Sequence, residues 1–375
     1  MKLIKDLGAI GISDIIVGGM SSIFWFYLAT LIIPEEYGEI QFIISLAGVA
    51  FGLSMLGSRN PIIVYEAKKI ELRKTLFLLS LIGGIGSSII LMIVYERIDI
   101  VFIIFGMIFS EFVIGYFLGR KSFIKYAYFQ CLQKILMVIF SLTLFFVIGV
   151  DGIIYGIGIS YIPAFVIILT TIKDSKLNFS LLKEHSGFII NNYSLLVIGT
   201  IKGNLDKILI TPIIGFSVLG NYSIAFQIYL VMMMFSNIIY KYSLAHNASG
   251  TNLLKIKIYT VIVSVIFAII GIFFVPIIFA MFFPNFIESI EAIVILSISV
   301  IPNTISLVVA SKFLGQEKSK VVLISYLCST IIYLVLLAIL ADKYQLIGIS
   351  MSFLISSITH VLFLKIFNTN QNIKN

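Results

Sequence analysis

The sequence has few charged residues and almost no polar segment long enough to form a water-soluble domain. Charged residues make up 12% of the 375 residues and hydrophobic residues 60%, whereas soluble domains average about 25% charged and about 45–50% apolar residues. A water-soluble core cannot absorb that excess. At about 20 apolar residues per crossing, the chain is long enough for roughly ten to fourteen membrane helices. We predict an all-α integral membrane protein with about 12 transmembrane helices.

Cysteine and histidine are scarce and scattered. The chain contains two cysteines, Cys131 and Cys328, and three histidines, and none of them has metal-ligand or C-x-x-C spacing. We therefore expect no metal and no cofactor. The segment GYFLGRKS (115 to 122) lacks the spacing of a phosphate-binding P-loop, which argues against ATP hydrolysis. The net charge of +8 lies in short loops, so we attribute it to membrane orientation and expect no nucleic-acid partner.

Basic residues are distributed unevenly among the loops between the apolar segments. The helices are expected near residues 10 to 33, 38 to 58, 74 to 95, 100 to 118, 123 to 149, 152 to 172, 187 to 211, 216 to 240, 255 to 281, 288 to 311, 320 to 341 and 345 to 367. Nearly all Lys and Arg residues fall in alternate loops, and the opposite loops contain only Arg97 and Lys343. By the positive-inside rule, this bias predicts that both termini are cytoplasmic.

The two halves of the chain resemble each other. Segment 211 to 228 is similar to segment 31 to 43, and Gly220 corresponds to Gly38 at an offset of 182 residues. Repeats of six helices in one orientation are a recurring transporter design. We predict an N-terminal six-helix bundle over 1–172, a cytoplasmic linker over 173–186 and a C-terminal six-helix bundle over 187–375, with the bundles related by a pseudo-two-fold axis.

Three blocks of sequence resemble a known family. They are Pro34, Glu35, Glu36, Tyr37 and Gly38 with Gly57 and Arg59; Asp206 and Lys207 with Leu219, Gly220, Tyr222 and Ala225; and residues 281 to 302 followed by 311 to 320. Together they resemble the polysaccharide biosynthesis or O-antigen flippases of the multidrug/oligosaccharidyl-lipid/polysaccharide exporter superfamily. The resemblance implies a cavity between two bundles that opens alternately to each side of the inner (cytoplasmic) membrane. Its implied cargo is a polyprenyl-diphosphate-linked oligosaccharide, and a polysaccharide polymerase is an implied partner.

Ionisable side chains inside the apolar segments are the candidate functional residues, because each costs about 2.5–3.5 kcal/mol at the centre of the bilayer. For a cavity that binds the diphosphate and sugars, the candidates are Lys202, Lys207, Arg59, Lys134, Gln130 and Asn191. For coupling to a proton or cation, they are Asp14, Glu111 and Asp206. Structural roles remain open: Lys202 and Asp206 have the spacing of an ion pair within one helix, Lys134 has a stem long enough to snorkel, and positive-inside bias alone explains Arg59.

The leading hypothesis is a non-enzymatic flippase that shields the polar headgroup while the polyprenyl tail stays among membrane lipids. One alternative is a cation-coupled multidrug exporter of the same superfamily, whose cavity should favour acidic and aromatic residues over basic ones. A lower-ranked alternative is a membrane glycosyltransferase or polymerase. Such an enzyme should place catalytic carboxylates or a large polar loop at one membrane surface, and the expected loops are too short for that.

Overall fold

The computed structural model describes residues 2–57, 59–173, 175–248, 254–315 and 319–372. The side chains of residues 2–10, of Lys202 and of some residues near the gaps lie outside this description. All regular structure in the described residues is helical. The helices are α1 (Lys2–Leu31), α2 (Pro34–Ser54), α3 (Arg59–Ala67), α4 (Arg73–Tyr95), α5 (Asp99–Gly119), α6 (Phe123–Ile148), α7 (Asp151–Ile159), α8 (Ile162–Ile172), α9 (Phe179–Glu184), α10 (Ser186–Ala248), α11 (Leu254–Phe273), α12 (Val275–Phe282), α13 (Ser289–Gly315) and α14 (Ser319–Asn372), with a 3-10 turn at Pro284–Phe286.

In the described residues, 10 helical spans are long and apolar enough to cross a membrane. Two of them, within α10 and α14, contain 55 and 48 residues. Each is interrupted by a non-helical residue, Gly215 with φ 84° and Gln345 with φ 43°. Because one crossing needs about 20 residues, each of these two spans is long enough for two crossings. The predicted all-α membrane fold with about 12 crossings is confirmed.

The helices turn apolar side chains outward and small hydroxyl groups inward. Ile23, Ile93 and Met281 are 71%, 70% and 75% exposed, whereas Ser45 and Ser297 are buried. The buried hydroxyls bond to carbonyl groups in their own helices, as Ser45 Oγ does to the Gln41 oxygen at 2.8 Å and Ser297 Oγ to the Ile293 oxygen at 2.6 Å. Lipid covers such an apolar surface without penalty, and small residues let helices approach closely. The chain is therefore a multi-pass membrane protein.

The chain packs into two compact units. Unit 1 contains residues 1–24 and 40–208, and unit 2 contains residues 25–39 and 209–375. Packing thus divides the chain within α10 and within the first two helices. The division into sequence repeats at the 173–186 linker stays a prediction.

In unit 1, helix α5 packs against α3, α4, α6, α7 and α8. Glycines make these contacts close. A Cβ atom added at Gly115 would lie 2.7 Å from Ile62 Cγ2 of α3, and one at Gly119 would lie 2.6 Å from Glu66 Cβ. Gly156 of α7 faces the backbone of α6 at Ser141. These glycines therefore allow neighbouring helices to pack closely.

One end of unit 1 contains a buried carboxylate with an arginine partner. The Arg97 guanidinium donates to Asp99 at 2.7 Å and also to Asp151. Asp99 is 2% exposed, so Arg97 supplies the positive charge that a buried carboxylate needs. The two loops that the sequence places on the same side of the membrane are thereby joined.

In unit 2, the glycines that correspond in the sequence repeat lie against each other. A Cβ atom added at Gly38 would overlap the carbonyl oxygen of Phe216 and lie 2.9 Å from Gly220 N. One added at Gly220 would overlap the Pro34 carbonyl oxygen and lie 3.1 Å from Gly38 N. Pro34 and Phe216 are themselves separated by the repeat offset. This reciprocal pattern, in which each segment makes the same contact with the other, is the signature of a local two-fold axis.

Candidate functional site in unit 1

Helix α2 is followed, after a short non-helical stretch, by the separate short helix α3. Helix α2 covers Pro34–Ser54 and α3 begins at Arg59, so α2 ends slightly before the predicted bound at residue 58. At the break, the Gly57 amide donates to Ser80 Oγ of α4 at 3.4 Å. Gly57 and Pro61 explain the interruption, because glycine weakens a helix and proline is tolerated only in its first turn. Irregular backbone at membrane depth occurs where it is buried in protein or lines a water-filled cavity.

Helix α3 runs alongside the last third of α5. Arg59 contacts Glu111, and Ile62 contacts Gly115 about one turn further along both helices. At a rise of about 1.5 Å per residue, Glu111 lies about 12 Å before the end of α5 at Gly119. Arg59 therefore lies well inside the span of α5, although the sequence places it at the inner end of a helix.

Arg59 and Glu111 form a bidentate ion pair. Arg59 Nε donates to Glu111 Oε2 at 2.6 Å and Nη2 donates to Oε1 at 2.8 Å. The Arg59 side chain remains 45% exposed and the Glu111 side chain 17%. Because two parallel hydrogen bonds fix both groups, the carboxylate neutralises the guanidinium and also sets its orientation.

Asp14 and Tyr126 lie close enough to Arg59 to interact with its charge. The Tyr126 hydroxyl donates to Asp14 Oδ1 at 3.1 Å, which joins α1 to α6. The Gln130 amide lies beside the same hydroxyl, one helical turn further along α6. We call Asp14, Arg59, Glu111 and Tyr126 the Arg59 cluster. It combines one cation with two carboxylates and brings together three of the residues that the sequence singles out.

The first part of α10 forms a polar wall beside α2 and α3. Asn60 Nδ2 donates to Asn192 Oδ1 at 3.2 Å. The Tyr193 hydroxyl donates to the Leu53 carbonyl at the end of α2. Because Gly52 lacks a side chain, Thr200 approaches it closely, with 2.8 Å between its Cβ and an added Cβ. These contacts hold α10 against the break.

Further along α10, Lys207 approaches Gln41 of α2, and Asp206 lies next to Lys207 in the chain. Asp206 is 5% exposed, and its Oδ1 accepts from the Lys207 backbone amide at 2.8 Å. Lys207 Nζ lies 3.5 Å from Gln41 Oε1. The predicted pairing of Lys202 with Asp206 stays a prediction, since the Lys202 side chain lies outside the described residues.

Two further candidate residues are Lys134 on α6 and Asn191 on α10. Lys134 Nζ lies 3.4 Å from Met137 Sδ on its own helix. Asn191 is exposed on α10, and its neighbour Asn192 makes the contact with Asn60. Sequence reasoning missed Asn60 and Asn192. For Asn60, Pro61 carried a signal, because proline is favoured in the first turn of a helix.

Arg59 presents a charged, planar fork of donors at the start of α3. A guanidinium fork matches both carboxylate and phosphate geometry. Because Arg59 is half-exposed and lies at the first position of α3, an incoming anion also gains from the positive end of the α3 dipole. An anion bound at Arg59 would compete with Glu111 for the same donors.

Comparison with known proteins identifies the fold. The chain is similar in structure to an inward-facing multidrug resistance transporter of the MATE family and MOP superfamily, with a TM-score of 0.73, 13% identity and 94% of each chain covered. It is similar to the lipid II flippase MurJ in an inward closed conformation, with a TM-score of 0.72, 16% identity, and 96% of this chain and 87% of that chain covered. An outward-facing MATE transporter gives a TM-score of 0.62 at 14% identity, with 99% and 97% covered.

No protein-family model matches the chain, and no curated protein matches its sequence. The structural likeness extends over nearly the whole chain. The chain therefore has the fold that solved transporters and flippases of the MOP superfamily share.

Proposed function

We propose that this protein is a flippase, and not an enzyme, that moves a polyprenyl-diphosphate-linked oligosaccharide from the cytoplasmic to the outer leaflet of a cytoplasmic membrane. The likeness to a lipid II flippase supports this proposal, as does the resemblance of three sequence blocks to polysaccharide flippases. The observation that carries it is the half-exposed Arg59 fork, held by Glu111 at the start of the short helix α3. Discontinuous helices whose ends face anionic groups are a recurring feature of transporter binding sites.

Arg59 would act by exchanging partners. In the empty protein, Glu111 neutralises the guanidinium and keeps it oriented. A diphosphate carries more charge than a carboxylate and offers several acceptor oxygens, so it displaces Glu111 from the fork. When the substrate leaves, Glu111 returns and prevents tight retention of the product.

Lys207 and Gln41 would serve a second subsite for the substrate in unit 1. Lys207 adds a positive charge and Gln41 supplies an amide able to bond a sugar hydroxyl, and their side chains already lie 3.5 Å apart. The polyprenyl tail would stay in lipid, which needs no apolar pocket. Transport would follow from a change between inward-open and outward-open states that the substrate biases by its unequal affinity for them.

The direct test follows a defined lipid-linked oligosaccharide in liposomes that contain the purified protein. The readout is the fraction of oligosaccharide accessible to an impermeant sugar-modifying reagent at the outer leaflet. Protein-dependent access supports the proposal. If access matches protein-free liposomes while a cationic drug is transported, the flippase assignment is wrong.

Membrane orientation gives an independent prediction. We expect a cysteine at Lys176, in the 173–186 connection, to react with an impermeant thiol reagent only from the cytoplasmic side. A cysteine at Ile98, which is 55% exposed near Arg97, should react only from outside. Both variants require Cys131→Ser and Cys328→Ser as background. Labelling of Lys176→Cys in intact cells would reverse the orientation and contradict a cytoplasmic entry route.

A cation-coupled multidrug exporter is the second candidate, because the same unit contains the carboxylates that coupling requires. Asp14 accepts from Tyr126, and Asp206 is buried beside a lysine. For such an exporter, Asp14→Asn should abolish drug efflux driven by a proton or sodium gradient. For the proposed flippase, we expect Asp14→Asn to leave gradient-independent oligosaccharide access within about threefold of wild type, since its Tyr126 contact survives as a neutral hydrogen bond worth about 1 kcal/mol. Both activities are measured on the same reconstituted protein.

A further inference from the structure

A charged pocket lies in unit 1, at the opposite end of α3 from Arg59. Its volume is about 570 Å³. It is lined by the ends of α3 and α5, the start of α4 and the connections that follow α3, α5 and α8, and its charged residues include Glu66, Lys69, Arg73, Arg120 and Lys121. We call it the basic pocket. Because the α4 span begins at Arg73 and the α5 span ends at Gly119, the basic pocket lies at the level where membrane helices end.

Two arginines in the basic pocket share one carboxylate. Arg73 Nη1 lies 3.0 Å from Glu66 Oε1, and Arg120 Nε lies 3.2 Å from Glu66 Oε2. Both guanidinium carbons lie 4.6 Å from the centre of the Tyr116 ring. Tyr116 therefore holds the two cations in position through cation–π contacts, while Glu66 can neutralise only one of them.

Arg73 retains hydrogen-bonding capacity that its surroundings do not use. Its side chain is only 6% exposed, yet its Nε and Nη1 atoms make no hydrogen bond within the described residues. The 3.0 Å approach to Glu66 is thus an ion pair without hydrogen-bond alignment. Buried guanidinium donors without acceptors are costly, and an anion in the basic pocket would satisfy them.

The rim of the basic pocket adds further positive charge. Lys69 and Lys121 are exposed and both have a φ of 57°, the left-handed region that side chains rarely adopt. Helix α4 begins at Arg73 without a side-chain cap on Leu72, so its positive dipole end also lies here. Within the lining, the basic residues Lys69, Arg73, Arg120 and Lys121 outnumber the acidic residues Glu66 and Glu71.

We propose that the basic pocket binds a phosphate group, supplied either by the headgroup of an anionic phospholipid or by a soluble phosphate. Arginine forks bind phosphate in a bidentate manner, and basic pockets between membrane helices hold phosphorylated headgroups. The bound phosphate accepts hydrogen bonds from the Arg73 guanidinium and balances the positive charge that Glu66 does not neutralise. This site is separate from the Arg59 cluster and does not depend on the proposed transport activity.

The test measures binding to the purified full-length protein in detergent. Native mass spectrometry compares phosphatidylglycerol with phosphatidylcholine, and thermal unfolding is followed with inorganic phosphate against chloride at equal ionic strength. We expect Arg120→Gln to weaken the binding of the phosphate-bearing probe about tenfold, the effect of losing one charge-assisted hydrogen bond. Lys125→Gln is the matched control, because Lys125 is exposed near the same loop but does not line the basic pocket.

The outcomes separate the two sources of phosphate. Preference for phosphatidylglycerol without an effect of inorganic phosphate indicates a lipid headgroup, and stabilisation by inorganic phosphate that Arg120→Gln removes indicates a soluble ligand. Equal retention of both lipids with no phosphate effect overturns the proposal. So does an equal loss of binding in Lys125→Gln and Arg120→Gln.

A variant of exposed residues keeps the test informative if a buried-residue variant fails to fold. Arg73→Gln removes a buried ion pair, so its failure to fold would itself say little about binding. The double variant Lys69→Gln/Lys121→Gln alters exposed side chains only, and we expect it to weaken binding of the same probe about threefold to tenfold through lost charge attraction. A folded double variant that binds with wild-type affinity contradicts the proposal.

Discussion

Arg59→Lys is expected to lower outer-leaflet access of the lipid-linked oligosaccharide about tenfold, and Arg59→Ala about a hundredfold. Charge-assisted hydrogen bonds contribute about 1.5–3 kcal/mol each, which corresponds to roughly tenfold to hundredfold in affinity. Lysine keeps the charge but loses the planar fork that holds Glu111 at two points. The measurement is the initial rate of access in proteoliposomes, normalised to the amount of folded protein.

Glu111→Gln is expected to strengthen substrate binding, whereas the Arg59 variants weaken it. Removing the competing carboxylate leaves Arg59 available for phosphate, so we expect tighter substrate binding and slower turnover. Tighter binding with slower release would indicate partner exchange. Loss of a purely structural ion pair would instead weaken substrate binding. Weaker binding by Glu111→Gln would refute the exchange mechanism.

Arg97→Lys is the matched control for both variants. Arg97 also bonds two carboxylates in unit 1, Asp99 and Asp151, but it lies at the end of unit 1 that contains the 96–98 and 149–150 loops. We expect transport per folded molecule to stay within about twofold of wild type, since lysine keeps a positive charge beside Asp99 and the pair lies apart from the Arg59 cluster. A loss as large as that of Arg59→Lys would show that any disturbed arginine pair impairs transport.

Gly38→Ala and Gly220→Ala are each expected to lower the apparent melting temperature by about 5–10 °C. In both variants, the new methyl group would overlap a backbone carbonyl of the facing helix, Phe216 or Pro34, which cannot move independently of its helix. Overpacking of this kind costs about 1–3 kcal/mol, or more when backbone must shift. For a unit of this size, 1 kcal/mol corresponds to about 2–4 °C. The check is thermal unfolding of the purified protein.

Gly199→Ala is the control for the glycine variants. Gly199 is also in α10, but no described atom lies within 4 Å of an added Cβ. Alanine favours a helix by about 1 kcal/mol over glycine, so its melting temperature should be unchanged or slightly higher. Equal destabilisation by all three variants would show that the close contact at the repeat-related glycines does not stabilise unit 2.

The repeat could be detected in the sequence because its two copies share short, local sequence features. The offset between Gly38 and Gly220 identifies two equivalent turns, and the reciprocal contact in unit 2 agrees with that equivalence. The glycine pairs of α5 and α7 are also a local feature of the sequence, since their spacing on one helix face does not depend on which helix they contact. Their partners, Ile62 and Ser141, required the structure.

The end of the second predicted helix shows how coarse local reasoning is at a boundary. Hydropathy averages over about 19 residues, so it put the end at residue 58, whereas α2 ends at Ser54 and the separate helix α3 begins at Arg59. Gly57 and Pro61 marked the interruption, and Ser80 from another helix stabilises it. The position of Arg59 inside the α5 span followed only from its tertiary contact with Glu111.

The sequence by itself determined that the chain crosses a membrane many times and where most crossings lie, because hydrophobicity and loop charge are properties of contiguous residues. Only the tertiary structure decided which charges meet. Arg59 and Glu111 are 52 residues apart and Tyr126 and Asp14 are 112 apart, and no local pattern relates them. Their pairing depends on how glycine-lined helices pack side by side, which a linear sequence encodes only through the whole fold.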